Sequence, residues 1–218
     1  PLSPPPPSPG PDCPLCPRLV EFRASNRTRH PLWHNGPVPS FSAGESADVG
    51  LLIVGLAPGL RGANCTGRPF TGDAAGDLLY SVMLDVGLAA GRYGRTPDDG
   101  MELRRTRVTN AVRCVPPKNK PIGAEVAACR PFLAAEIGSL ASLKVILALG
   151  TLAHGAVVAA LGLKKSHWPF RHGALHHLPA APILADSYHC SRYNTNTGRL
   201  TPAMFRSVFE TIVPLLDA

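Results

Sequence analysis

The chain has 218 residues, of which 44% are hydrophobic and 17% charged, with a formal net charge of +7. That suits one globular domain with a substantial core, does not require a second, and implies a surface attracted to polyanions such as DNA, RNA or an anionic membrane face. No apolar run approaches the length of a membrane span and the opening residues lack the pattern of a signal peptide, so a soluble, intracellular protein is expected, with no membrane partner; six cysteines in such a chain point to metal binding or bystander thiols rather than a disulfide framework.

In chain order, residues 1–11 (PLSPPPPSPGP) favour extended polyproline II and cannot bury a core, which predicts a disordered tail with a single domain from Asp12 onward. Cys13-Pro14-Leu15-Cys16-Pro17 precedes a short amphipathic segment with Leu19, Val20 and Phe22. A polar, proline-punctuated loop from Asn26 to Asp48 follows. The first strand is expected at Val49–Val54, opening into the glycine-rich stretch Gly55–Gly76 (GLAPGLRGANCTGRPFTGDAAG). Asp73 stands at the N-cap of a helix from about Ala74 to Val86, where Leu78, Leu79, Val82 and Val86 share a face. A glycine-rich turn leads to a strand at 107–112 ending in TNAVRC, then to the basic, prolyl loop 115–121. A helix over 123–140 places Val126, Cys129, Leu133, Ile137 and Leu140 together. Lys144–Leu149 reads as a buried strand, Thr151–Leu161 as a helix, Lys164–His172 as a basic loop, and 182–186 as the last strand, delivering Ser187-Tyr188-His189. Thr201 as N-cap and Pro202 in the first turn start the final helix, with Phe205, Val208, Phe209 and Ile212 as its apolar stripe.

Alternating strands and helices imply an α/β fold, a three-layer α/β/α arrangement with a central, mostly parallel four-stranded sheet. Loops after Val54, Val112 and Asp186 would then gather at one edge, where open α/β sheets bind their ligands. The first of these loops lacks both the Gly-Lys-Ser/Thr ending of a triphosphatase loop and a GxGxxG pattern, so both nucleotide fingerprints fail.

GLAPG followed by GANCTGRPFTGDAAG, then TNAVRC, then YHCSRYNTNTGRLT, resembles the uracil-DNA glycosylase superfamily, and within it the iron–sulfur branch called family 5 or type b. The likeness runs from Cys13 to Thr201 with the motifs in order. It implies a monofunctional base-excision-repair glycosylase that flips uracil, hypoxanthine or xanthine out of double-stranded DNA and hydrolyses the N-glycosidic bond; the alternative is a non-catalytic iron–sulfur DNA-binding module of the same fold. Gly55, Leu56, Ala57 and Gly59 match the first-motif wall, where this chain lacks the acid of other branches. Phe70 matches the residue that stacks on the base, Asn110 the one that reads its edge, and His189 the one that stabilises the departing anion. Asp73 matches the downstream aspartate that orients water or stabilises the cationic sugar; capping the helix is the competing role, and the two can coexist.

Arg192, Tyr193, Asn196 and Arg199 match the DNA-contacting loop, with the arginines on phosphates and Tyr193 as a wedge in the vacated stack. Cys13, Cys16, Cys114 and Cys129 match the ligands of a [4Fe–4S] cluster. Spacing alone allows zinc equally; the resemblance favours iron–sulfur, a structural tie that positions Arg113, Lys118 and Lys120 for backbone contact. Cys65, where the family usually has arginine, and Cys190 are left as free thiols. The resemblance carries with it a monomer in the nucleoid-bearing cytoplasm.

Overall fold

The computed structural model describes residues 8–42, 48–179 and 182–217. The proline-rich tail lies outside the described residues over 1–7, as does part of the 26–48 loop over 43–47. The elements are α1 (Pro17–Arg29), β1 (Phe41–Ser42), β2 (Leu51–Gly55), α2 (Ala63–Thr66), α3 (Ala74–Asp85), β3 (Ala89–Ala90), β4 (Glu102–Leu103), β5 (Thr106–Asn110), α4 (Gly123–Ser139), β6 (Val145–Leu149), α5 (Thr151–Ala160), β7 (Leu175–His176), β8 (Ile183–Ser187), α6 (Arg192–Asn196) and α7 (Pro202–Ile212), with short 3₁₀ turns between some of them.

The main sheet runs β1-β5-β2-β6-β8-β7. Its four inner strands are parallel, in register Gly55↔Asn110 and Leu149↔Ser187. The α/β class matches the sequence reading. The sheet is wider than four strands, because β1 and β7 add two-residue antiparallel edges; elements so short leave no periodicity to read. The β3–β4 pair, which begins in the expected glycine-rich turn and ends just after it, is invisible to periodicity for the same reason.

Both sheet faces are covered, so the inner strands are apolar on each side. Leu51, Ile53, Val145 and Leu147 face one layer with α3 and α7 side chains such as Leu79, Phe205 and Phe209. Leu52, Val54, Ile146 and Ala148 face the other with Leu133 and Ile137 of α4 and Val157 of α5. Each such side chain contributes about 1.5–3 kcal/mol of burial. The helix starts follow local chemistry: Thr201 Oγ1 accepts from Met204 N at 3.1 Å, and Glu125 caps α4 by accepting from Ile122 N at 2.9 Å.

Polar groups inside the layers are paired. On α4, the buried stripe contains Glu125 and Glu136 as well as Cys129 and Leu133. Glu136 takes Arg113 Nη2 at 2.5 Å, while Ser40 bridges Arg113 (2.9 Å), Thr109 (2.9 Å) and Glu136, fastening the chain before β1 to β5 and α4. Arg113 is therefore buried and committed to Glu136, and is not available for the DNA contact the sequence suggested. Lys118 and Lys120 are exposed.

His154, on α5, is buried between two acceptors. Nδ1 meets Asp186 Oδ1 at 2.7 Å and Nε2 meets the Trp168 carbonyl at 2.7 Å. An ionised carboxylate and a carbonyl both only accept, so this pair of contacts favours the doubly protonated, cationic ring. Burial opposes that charge, but the Asp186 hydrogen bond and its negative charge win, and the His154 pKa is raised above 6.5. The other Asp186 oxygen accepts from His176 Nε2 at 2.9 Å and Arg171 N at 3.2 Å, which ties the 164–177 segment to the end of β8. Because the folded pKa lies above the unfolded one, this pair should stabilise fully below pH 6.5 and lose its contribution as pH rises through the raised value. His154→Gln should cost about 3–5 kcal/mol at pH 6 and progressively less at alkaline pH, read by urea denaturation of both proteins across that range. An equal cost at every pH would assign His154 a packing role only.

Candidate active site

The ends of β2, β5 and β8 face one cavity of about 610 Å³, lined by Leu56, Ala57, Gly59, Phe70, Asp73, Asn110 and His189 among others. Six of the seven residues assigned to base binding from the sequence line it. The seventh, Gly55, lies just behind: a Cβ there would stand 2.4 Å from Asn110 Oδ1 and 2.5 Å from Phe70 Cζ. Only glycine lets the aromatic ring and the carboxamide meet over the end of β2.

Phe70 holds φ at +52°, a left-handed conformation that costs a bulky residue of order 1–3 kcal/mol. Its neighbours hold it there. Tyr93 Oη donates to the Phe70 carbonyl at 3.1 Å and Tyr80 Oη to the Pro69 carbonyl at 2.5 Å. Gly76 in the first turn of α3 is packed so closely that a Cβ would fall 1.7 Å from the Phe70 oxygen. Arg68 makes a buried two-pronged pair with Asp99 (2.7 and 2.9 Å) and lies over the Phe41 ring at 4.9 Å. Burial opposes the Asp99 charge, but hydrogen bonds from Arg68 and from the Gly94 and Met101 amides hold its pKa down at about 2. The RPFTG turn is thus fixed from behind by α3 and the 91–101 loop.

Asp73 divides its carboxylate. Oδ1 accepts from Ala75 N and Gly76 N, both at 3.1 Å, and so caps α3. Oδ2 receives no hydrogen bond among the described residues and lies against Gly59 and Gly62, where added Cβ atoms would stand 3.0 and 2.5 Å away. One oxygen builds the helix and the other is left to the cavity.

Asn110, 3% exposed, ends β5. Among the described residues nothing hydrogen-bonds its carboxamide. The His189 ring faces Phe70, centroids 5.9 Å apart at 29°. Its Nδ1 is buried without a partner, and burial pushes its pKa down while Asp73 pulls upward, leaving a neutral imidazole at pH 7. The segment behind it is well held: His172 Nδ1 accepts from Tyr188 N at 3.1 Å and the His172 ring stacks on Tyr188 at 4.8 Å, while Asn194 Nδ2 donates to the His189 carbonyl at 2.8 Å.

Around the mouth the cavity is lined by Arg61, Arg95, Asn119, Ser191 and Arg192. Of these, only Arg192 was singled out in the sequence. Arg61 and Arg95 sit in glycine-rich loops, and the sequence reading gave neither a role. Among the described residues Arg95 makes an exposed 3.5 Å pair with Asp77 and a 3.4 Å bond to the Gly72 carbonyl. In the last motif, Tyr193 is 73% exposed on α6, Asn196 is exposed at its end, and the Arg199 guanidinium rests on the Tyr188 ring at 4.7 Å.

The four cysteines assigned as ligands come together from three parts of the chain. Cys16, Cys114 and Cys129 share one small cluster beneath Leu19 and Val112. Burial pushes the Cys16 and Cys114 thiols up to about 11 and raises Cys129, and Cys13 lies close enough to oppose the ionisation of all three. All six cysteines are free of disulfides. Such thiols become anionic at neutral pH when a metal takes the place of their protons. A second group, His154, His176 and Asp186, also brings three ligand atoms within 4.8 Å. There both His154 ring nitrogens are already engaged, by Asp186 and by the Trp168 carbonyl.

A family model described as the uracil DNA glycosylase superfamily matches residues 41–213. A type-5 uracil-DNA glycosylase of Thermus thermophilus is 46% identical over 202 residues, covering 90% of this chain and 90% of that protein. Type-5 enzymes of Mycobacterium leprae (41% over 207 residues; 91% and 89%) and Pyrobaculum aerophilum (38% over 194 residues; 87% and 83%) are similarly related over most of their length.

The divided carboxylate makes a stability prediction. Asp73→Asn keeps a side-chain oxygen at the N-cap and should unfold within about 0.5 kcal/mol of the parent, whereas Asp73→Ala should lose about 1 kcal/mol; thermal denaturation of the three proteins distinguishes them. Equal losses in both variants would mean that the second oxygen, too, serves the fold.

Proposed function

The chain belongs to the type-5 branch of the uracil DNA glycosylase superfamily, and we propose that it extrudes uracil, hypoxanthine or xanthine from double-stranded DNA and hydrolyses the bond from base to sugar. Uracil-DNA glycosylases break that N-glycosidic bond with water and leave an abasic site. The observation that carries the reading is the free Oδ2 of Asp73 in the same cavity as Phe70, Asn110 and His189.

In this reading the extruded base stacks on Phe70 and its polar edge meets the unpartnered carboxamide of Asn110, which offers a donor and an acceptor together. As the bond breaks, its electron pair departs with the base. A neutral His189 donates an N–H to the oxygen where that charge collects, its ring lining the cavity opposite Phe70. The sugar left behind is oxocarbenium-like, and the Asp73 carboxylate stabilises it and orients the water that adds to the anomeric carbon and releases a proton. The small first-motif wall of Leu56, Ala57 and Gly59, with a cavity of about 610 Å³, supports admission of bicyclic as well as monocyclic bases.

Arg61, Arg95 and Arg192 at the mouth would neutralise phosphates flanking the extruded nucleotide, with Asn196 and Arg199 alongside and Tyr193 filling the gap in the stack. The formal charge of +7 favours the encounter. A monomer suffices, since the cavity is completed by one chain, and the nucleoid is where its substrate lies.

Cys13, Cys16, Cys114 and Cys129 would hold a [4Fe–4S] cluster, the donor set being equally suited to zinc. When bound, the group supplies no step of hydrolysis and serves as a covalent tie between the segment before α1, the loop after β5, and α4. The gathering of Cys16, Cys114 and Cys129 in one cluster, with Cys13 close to all three, is the observation that fits it.

Duplexes carrying uracil, hypoxanthine or xanthine, treated with the protein and then alkali, should be cut at the modified base. Asp73→Asn should lower turnover about 10²–10⁴-fold with duplex affinity retained. Binding without cutting in the parent would point to a DNA-binding module, and cutting at uracil alone would restrict the substrate range. About four irons per chain with visible absorbance is the expected content of anaerobically purified protein.

A further inference from the structure

Arg23 is a buried cation. It lies on α1, one turn beyond Leu19, and is 4% exposed. A guanidinium stays charged when buried, and a buried charge calls for a counter-charge. Asp12, whose carboxylate feels the Arg23 charge, pairs with Arg27 at 2.6 Å, and Glu125, close to the cysteines, pairs with Arg18 at 2.7 Å. Among the described residues no carboxylate lies within ion-pair distance of Arg23. Its two hydrogen bonds go instead to the four-cysteine cluster: Nη1 donates to Cys114 Sγ at 3.7 Å and Nη2 to the Cys13 carbonyl at 3.1 Å.

A protonated thiol is a poor partner for a buried guanidinium, and a thiolate is a good one. Four thiolates around a zinc ion or a dicationic iron–sulfur core leave a net dianion in a site walled by Leu19 and Val112. We propose that Arg23 is the resident counter-charge of the Cys13–Cys16–Cys114–Cys129 centre, donating to one ligand sulfur and to the backbone of another ligand so that the CxxC segment is held onto the body of the protein. The proposal rests on the four cysteines being ligands. The role differs from that of Arg18, whose pairing with Glu125 joins α1 to α4 whether or not a metal is bound.

Partners that hydrogen-bond a metal ligand tune the affinity of the site and, for iron–sulfur centres, its potential. Protein purified anaerobically with its metal is compared with Arg23→Gln and Arg23→Lys. Iron and zinc per chain, the rate of metal loss to a chelator, and the midpoint potential by film voltammetry are measured. Arg23→Gln should release metal about 10–100-fold faster than the parent. If the centre holds iron, its potential should fall, because removing a cation favours the more positive, oxidised state. Arg23→Lys, which keeps the charge and loses the two-pronged donation, should fall between the two, and it reads the same property if the glutamine variant does not fold. A metal-loaded parent with variants unchanged in release rate and potential would overturn the role of Arg23. A parent that takes up neither iron nor zinc would overturn both this proposal and the assignment of the cysteines, while the cutting of uracil duplexes remains a separate measurement.

Discussion

The pocket depends on a side chain that is not there. Gly55 ends β2 in register with Asn110 at the end of β5, and any Cβ would collide with both the Asn110 carboxamide and the Phe70 ring. Parallel pairing fixes where Asn110 stands, because its backbone is locked into the sheet. Phe70 is then brought to it by a turn in a strained conformation, and the compensation is spread over Tyr80, Tyr93, Gly76 and the Arg68–Asp99 pair. Strain of a few kcal/mol persists only where the surroundings over-determine the conformation. Here they do so from α3 on one side and the 91–101 loop on the other.

The same turn places Asp73, and its two oxygens explain why a catalytic and a structural reading of this residue were equally attractive from the sequence. A carboxylate at an N-cap uses one oxygen for the amides of the first turn. The other is aimed by that bond, so capping is what orients the group the chemistry would use. Gly59 of GLAPG, the motif that lacks an acid, lies 3.0 Å by its notional Cβ from Asp73 Oδ2, so the carboxylate in the proposed role would reach this wall from the helix instead of from the strand end.

Buried strands were legible because parallel strands covered on both faces read as continuous apolar runs; LLIVG and VILAL are found almost at their expected limits. β5 was harder. It reads TRVTN, yet all five residues are buried, since its threonines, Arg107 and Asn110 meet polar partners or the cavity. The four strands and four helices of regular length that the sequence predicts are all present, while two-residue strands carry no period to detect. Pairings between distant residues were not legible at all. Nothing in local sequence says that Arg113 meets Glu136, or that His154 lies against an aspartate 32 positions away. Cation counts in a loop therefore overstated what that loop presents to DNA, and two arginines that do reach the mouth, Arg61 and Arg95, were passed over.

Charge placement follows from those pairings. Arg18–Glu125, Arg68–Asp99 and Arg113–Glu136 are self-neutralising, so they subtract nothing from the excess of +7, which is left to the other, more exposed groups. At the cavity the signs are layered: guanidinium groups of Arg61, Arg95 and Arg192 at the rim, and within it the carboxylate of Asp73 beside a neutral His189. A polyanion approaching this surface is attracted to the rim and repelled from the interior. Phosphates would thus stop at the mouth while an uncharged base passes in, and the sugar that turns cationic on losing its base would be the part of the nucleotide held nearest the carboxylate. The order of charges alone would sort the three parts of a nucleotide to the depths at which each is useful.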